Sequence, residues 1–207
     1  IFNYLLKFVF VVIIFSQEEY DKSKLLKYLE PDTCGRPGCV APEFQLNSAG
    51  TVRIHDEKEF YRILDQDSTY SMENLNGKVI LLNFWATWCG PCIMEIPDFN
   101  ELYGTYQSEG FEILGVSIQD TRMQLSNFLK SRVVNYPVLY GTPKEINQIL
   151  LNYELSNPFY GISIPQSILI NRARKIVWYY PGALVKSYSP EEYAKFLFIL
   201  EQTLKNS

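Results

Sequence analysis

Histidine is nearly absent from this chain: its 207 residues hold one, His55. With no second histidine to pair with, a histidine-based nucleophilic triad has no basis, and a solvent-facing role is the default for His55. Cysteine is sparse as well, at four residues. A structural zinc centre needs about four ligands, and Cys89 and Cys92 have only the distant Cys34 and Cys39 to join them. No metal site is therefore expected. Positive charge is not in excess: 19 Lys and Arg face 23 Asp and Glu, a net charge of −4. The basic residues are scattered, so nothing points to nucleic acid. No G-x-G-x-x-G segment is present for a dinucleotide, and no internal repeat or low-complexity tract interrupts the chain.

Long apolar runs are also lacking. The only candidate, Phe8-Val9-Phe10-Val11-Val12-Ile13-Ile14-Phe15, is too short for a full membrane span and turns polar at Ser16-Gln17-Glu18-Glu19. Three readings stay open for residues 1–16: a cleaved signal peptide, an uncleaved anchor acting through residues 1–15, or a buried N-terminal strand or helix. Ile14 is not the small residue usually wanted two before a cleavage point at Ser16, and no Leu-x-x-Cys lipoprotein signal occurs. The first two readings place the rest of the chain outside the cytoplasm, periplasmic or exported, where disulfides have a role.

What is present is concentrated in Phe84-Trp85-Ala86-Thr87-Trp88-Cys89-Gly90-Pro91-Cys92. The apolar run Val79 to Phe84 reads as a buried parallel strand. Pro91 suits the first turn of a helix, and Ile93, Ile96, Phe99, Leu102 and Tyr103 continue at near-helical spacing. Cys89 is thus expected at a helix N-terminus, where unpaired N–H groups and the helix dipole favour a thiolate. It is expected to be the exposed, nucleophilic sulfur, with Cys92 buried one turn on as the resolving thiol. Glu95 follows Cys92 by three residues and lies on the same side of the helix. If buried, its carboxyl can exchange a proton with Cys92; otherwise it is a surface charge. Trp85 is expected to pack beneath the site and Trp88 to line a docking surface, with core packing an equal alternative for each.

This segment resembles the thioredoxin-fold thiol–disulfide oxidoreductases, in particular their TlpA- and ResA-like, AhpC/TSA-related branch. The resemblance extends over roughly residues 41 to 200 and includes the entry motif Ala41-Pro42-Glu43-Phe44. It implies an α/β, thioredoxin-like three-layer α/β/α sandwich with a mixed central sheet. It implies that Gly90-Pro91, the active-site turn, favours the reducing end of the potential range, and that Pro97 kinks the active-site helix. Asn83 stands where thioredoxins carry a buried acid, and Asn83 with Glu95 is the ResA-like pattern. Ile164-Pro165 matches the family's cis-proline, which faces the cysteines and offers its backbone to a bound peptide; an ordinary trans proline at a strand start is the alternative. No separate cofactor is implied, since the Cys89–Cys92 disulfide is itself the redox group. The implied partners are protein thiol or disulfide substrates, apocytochrome c among them, and a membrane electron donor.

Outside the motif, residues 17–40 read as a linker whose loop Thr33-Cys34-Gly35-Arg36-Pro37-Gly38-Cys39 holds either a structural disulfide or a second redox pair. Residues 41–207 read as the thioredoxin-like domain. Asp56-Glu57-Lys58-Glu59 has capping-box spacing and predicts a short helix from Asp56 to Leu64. Strands are expected at Phe111–Ser117, Ser167–Ile170 and Ile176–Tyr180. Helices are expected from Thr121, over Glu145 to Tyr153, and from Ser189, where an N-cap serine, an N1 proline and an N3 glutamate coincide. Three other functions fit the motif: a disulfide oxidase or isomerase, a thiol peroxidase, or a non-enzymatic peptide-binding or chaperone module. The peroxidase lacks its usual T-x-x-C, because Ala86 stands three before Cys89.

Overall fold

The computed structural model describes residues 37–55, 60–64, 67–156 and 161–206. Residues 1–16, for which a signal, an anchor or a buried element is expected, and Cys34 lie outside them. Eight strands form one mixed sheet. In chain order they are β1 (Gln45–His55), β2 (Phe60–Leu64), β3 (Thr69–Ser71), β4 (Val79–Trp85), β5 (Phe111–Ser117), β6 (Val138–Tyr140), β7 (Gln166–Ile170) and β8 (Ile176–Tyr180). Among the described residues four α-helices accompany them: α1 (Gly90–Tyr106), α2 (Arg122–Leu129), α3 (Pro143–Asn152) and α4 (Pro190–Lys205). Among the described residues no helix is long and apolar enough to cross a membrane.

The sheet order is β2-β1-β6-β5-β4-β7-β8, with β3 paired to β1 off this path. Strand β4 lies inside it, parallel to β5 and antiparallel to β7. Every residue of β4 and of β5 is buried, the polar Asn83, Glu112 and Ser117 among otherwise apolar runs. Alternation along β4 sends adjacent side chains to opposite faces. Asn83 meets Glu95 of α1 on one face, and Phe84 meets the Tyr153 ring, just past α3, on the other. Helix α4 joins α1 on its face through Tyr106 Oη, which donates to Glu201 Oε1 at 3.0 Å. The helices thus cover both faces, giving the three-layer sandwich.

The entry motif is part of the core. Ala41 and Phe44 are buried, and Tyr153 Oη donates to the Pro42 carbonyl at 2.8 Å. Just upstream, Val40 pairs with Lys175 in an isolated bridge, so residues 38–41 run along the start of β8.

Two local expectations fail. Residues 60–64 are not helical: they form β2, antiparallel to β1, with His55 opposite Phe60 and Thr51 opposite Leu64. The capping-box residues 56–59 lie outside the described residues. Hairpin pairing with a long neighbouring strand outweighs a local capping signal, and Phe60, Tyr61 and Ile63 suit a strand well. At α4, Pro190 and the first-turn acids Glu191 and Glu192 stand as expected, but Ser189 makes no side-chain cap. Its hydroxyl donates backwards instead, to Val185 O at 3.1 Å. Glu192 is engaged by Lys195, one turn along. The boxes do form at α2, where Thr121 pairs with Gln124, and at α3, where Thr142 pairs with Glu145. Helix α3 begins at Pro143, slightly ahead of the expected Glu145.

Candidate active site

The chain leaves the C-terminal end of β4 at Trp85 and enters α1 at Gly90. Cys89 occupies the N-cap position in extended conformation, and Pro91 sits in the first turn, where no intrahelical N–H bond is lost. The Cys92 N–H points at Cys89 Sγ, 3.3 Å away. A helix that opens on a sulfur in this way presents its positive end to any charge that develops there. The two sulfurs are joined in a disulfide, with Cα atoms 5.3 Å apart.

Cys89 is less exposed than the sequence suggested. It is 5% accessible against 1% for Cys92. The order of access is as expected, but both sulfurs belong to the buried core of the oxidised form. Part of the reason lies opposite: the Ile164 carbonyl stands 3.8 Å from Cys89 Sγ. The Ile164–Pro165 peptide bond is cis. Trp88, by contrast, is 62% exposed beside the disulfide. Trp85 is buried and packs on Phe128 of α2 at 5.2 Å between ring centroids. Pro97 lies inside α1, five residues past Cys92.

One turn into α1, Glu95 is buried, and the elements around it supply its partners. Asn83 of β4 donates from Nδ2 to Glu95 Oε1 at 2.7 Å and to Ser167 Oγ of β7 at 3.1 Å. The Leu184 N–H donates to Glu95 Oε2 at 2.9 Å. Leu184 belongs to a strap between β8 and α4, and two residues on Lys186 N donates to Asp98 Oδ2 at 2.7 Å. Successive acids on one side of α1 thus receive successive strap amides. Burial pushes the Glu95 carboxyl up to about 8, against the lowering effect of the two hydrogen bonds from Leu184 and Asn83 and with a small further push from Asp98. At neutral pH the group is mostly a carboxylic acid, able to give a proton and to take it back.

A second buried network holds the loop between β4 and Cys89. Asp120 accepts from Thr87 N at 2.8 Å, from Thr87 Oγ1 at 2.6 Å and from Ser117 Oγ at 2.8 Å. A buried carboxylate with three donors is well compensated and fixes the residue two before Cys89. The structure thus gathers Trp88, Cys89, Gly90, Pro91, Cys92, Glu95, Ile164 and Pro165 at one end of the sheet. Cys39 lies at the far start of the domain, hydrogen-bonded through its carbonyl to Ile176 N, and is not among them. Its proposed pairing with Cys34 falls outside the described residues. Among the described residues no cluster of His, Cys, Asp or Glu could hold a metal.

Sequence reasoning missed Ser167, the Leu184 amide, Thr87 and Asp120. One signal was available: a polar Asn83 inside an otherwise apolar strand has to find buried partners. Nothing in the local pattern says that those partners are Glu95 and Ser167.

A family model described as the AhpC/TSA family matches residues 37–179. The chain is 35% identical over 150 residues to the thiol-disulfide oxidoreductase ResA of Bacillus subtilis strain 168, spanning 72% of this chain and 70% of that protein. To the protein of the same name from Bacillus thuringiensis subsp. konkukian it is 30% identical over 164 residues, spanning 78% and 88%. Among solved structures, a thiol:disulfide interchange protein of the thioredoxin family from Chlorobium tepidum superposes with a TM-score of 0.60 at 27% identity. That match covers 83% of this chain and 99% of the other.

Proposed function

The chain belongs to the AhpC/TSA family, and from that premise we propose that it works outside the cytoplasm, reducing disulfides in exported proteins. It is a thiol–disulfide oxidoreductase of the ResA-like kind. The observation that carries the proposal is the Cys89–Cys92 disulfide capping α1, with a protonatable Glu95 buried one turn behind it.

In the proposed cycle the reduced enzyme begins with Cys89 as thiolate, favoured by the Cys92 N–H and the helix dipole. Cys89 Sγ attacks one sulfur of the substrate disulfide. A bond forms between enzyme and substrate, the substrate S–S bond breaks, and the departing thiolate takes a proton. Cys92 then gives its proton to Glu95 in the fraction of molecules where that carboxyl is ionised, a fraction that grows as pH rises towards about 8, and attacks Cys89 Sγ. The second substrate sulfur leaves as a thiolate and is protonated, and the Cys89–Cys92 disulfide closes. Two electrons have passed to the substrate. Two electrons and two protons from a membrane donor return the enzyme to its dithiol. The exposed Trp88 and the Ile164–Pro165 backbone receive the substrate chain, and residues 1–15 serve as export signal or tether. Apocytochrome c is a fitting substrate, because its haem-binding cysteines have to be reduced in an oxidising compartment.

The reduction potential of Cys89–Cys92 tests the direction. Equilibration in graded thiol buffers, with a Cys34→Ser, Cys39→Ser variant to isolate the pair, should give a value near or below about −250 mV. A value above about −180 mV would instead identify a disulfide oxidase or isomerase.

A further inference from the structure

Gln166 directly follows the cis-proline, and its buried side chain is fully engaged. Its Nε2 donates to Ser163 O at 2.6 Å and to Leu155 O at 3.3 Å, and its Oε1 accepts from Tyr179 Oη at 2.8 Å. The two carbonyls can only accept, so they fix the amide with its nitrogen inward, and the tyrosine hydroxyl completes the set. Gln166 is itself anchored in the catalytic sheet, because its Cα is the ladder partner of Phe84 in β4. Tyr179 reaches it from β8, where it pairs with Ile168, two residues along β7 and on the same face.

The bond to Ser163 O has a directional consequence. The Ser163–Ile164 peptide is trans, so its C=O and N–H point opposite ways. With the Ser163 carbonyl drawn inward to Gln166, the Ile164 N–H is turned away from it. The next carbonyl, that of Ile164, faces Cys89 Sγ. Both peptide groups that flank Ile164 are thereby oriented relative to the sulfur that is attacked.

We propose that Gln166 and Tyr179 are positioning residues, which hold the Ile164 backbone ready to pair with the main chain of a polypeptide substrate. Affinity for an extended peptide then depends on them, whereas sulfur chemistry at Cys89 does not. The inference rests on substrate docking at Ile164. It extends that docking to two side chains that touch neither the substrate nor the sulfurs.

The test compares two oxidants of the reduced enzyme in single turnovers. One is 2-hydroxyethyl disulfide, which has no peptide main chain. The other is a peptide of about ten residues, whose single cysteine is held as a mixed disulfide with 2-mercaptoethanol. Wild type should favour the peptide. Gln166→Glu, which turns a carboxylate towards two carbonyls, should cut the peptide rate at low concentration by about tenfold or more, the scale of one or two lost hydrogen bonds. The loss should lie in the concentration for half-maximal rate. The rate with 2-hydroxyethyl disulfide and the Cys89–Cys92 potential should stay as in wild type. Tyr179→Phe, a gentler change that keeps the core filled, should show the same split to a smaller degree. If both variants keep the peptide preference, or lose both oxidants equally with a shifted potential, the positioning role is overturned. If wild type itself shows no peptide preference, docking at Ile164 fails first.

Discussion

Replacing Glu95 with glutamine should change how stability depends on pH, and the structure sets the size of the change. In the folded protein burial lifts the carboxyl from 4.5 to about 8. The unfolded chain releases its proton near the lower value, so between the two the folded state binds more protons than the unfolded one. Folding stability must then fall as pH rises through that window, by about 1.4 kcal/mol per pH unit and roughly 5 kcal/mol in all. The substituted amide is neutral throughout and makes no such contribution. It does carry its own cost. One carboxyl oxygen of Glu95 faces Asn83 Nδ2 and the other faces the Leu184 N–H. Whichever way the amide turns, its NH2 meets a donor, which costs about 1–3 kcal/mol. Glu95→Gln should therefore be less stable than wild type below about pH 5 and more stable above about pH 7. Urea unfolding of the oxidised proteins from about pH 4.5 to 9 at fixed ionic strength reads this directly. All other titrating groups are shared and cancel in the difference. Two curves separated by a constant offset would refute the raised, buried acid, and the absence of any deficit in Glu95→Gln at the acid end would refute the assignment of its partners.

Cys92→Ser should accumulate a mixed disulfide when reduced and given a disulfide-bonded peptide, one substrate thiol leaving, because the resolving sulfur is gone; Cys89→Ser should give none, and non-reducing electrophoresis with mass analysis distinguishes them. Asp120→Ala leaves Thr87 N–H, Thr87 Oγ1 and Ser117 Oγ without their acceptor. It should cost about 2–4 kcal/mol in chemical unfolding, more than one neutral hydrogen bond is worth. Gly115→Ala would place a Cβ 3.1 Å from Trp85 Nε1 and 3.2 Å from a Tyr136 ring carbon. Overpacking of that kind should cost about 1–3 kcal/mol, visible as a lowered Tm with the Cys89–Cys92 disulfide intact.

The strongly patterned parts of the chain are legible in the sequence itself. Val79 to Phe84 announces a buried strand, Gly90-Pro91 a helix start, and the Cys89–Cys92 spacing a redox pair, because each rests on local chemistry. The stretch from Gln45 to Ser71 is not legible. It makes three strands that hold one another, and β1 also reaches β6 across most of the sheet's sequence span. A capping-box signal over four residues carries no information about a partner strand, so the local helix reading there loses to pairing. The site divides the same way. Cys89, Cys92 and Glu95 share one helix and are fixed by its period, whereas Ser167, Leu184 and Asp120 arrive from distant segments. Ser189 shows the remaining limit: a sequence can carry all the marks of a cap while its hydroxyl turns to a preceding carbonyl.

The register rung Phe84–Gln166 joins two stretches of chain that do different work. From Phe84 the chain runs on to both sulfurs; just ahead of Gln166 stands the backbone that faces them, 75 residues from Cys89 in sequence. Reactivity and much of the choice of partner are therefore written in separate passages of the sequence, brought together by the β4–β7 ladder and the Asn83–Ser167 bond. A substitution at residue 163 or 164 can change which proteins are accepted while the thiols keep their potential. A change at 90 or 91 can retune the potential for the same clientele. Such a molecule can be handed from one task to another by small edits, each to a passage that the other task does not use.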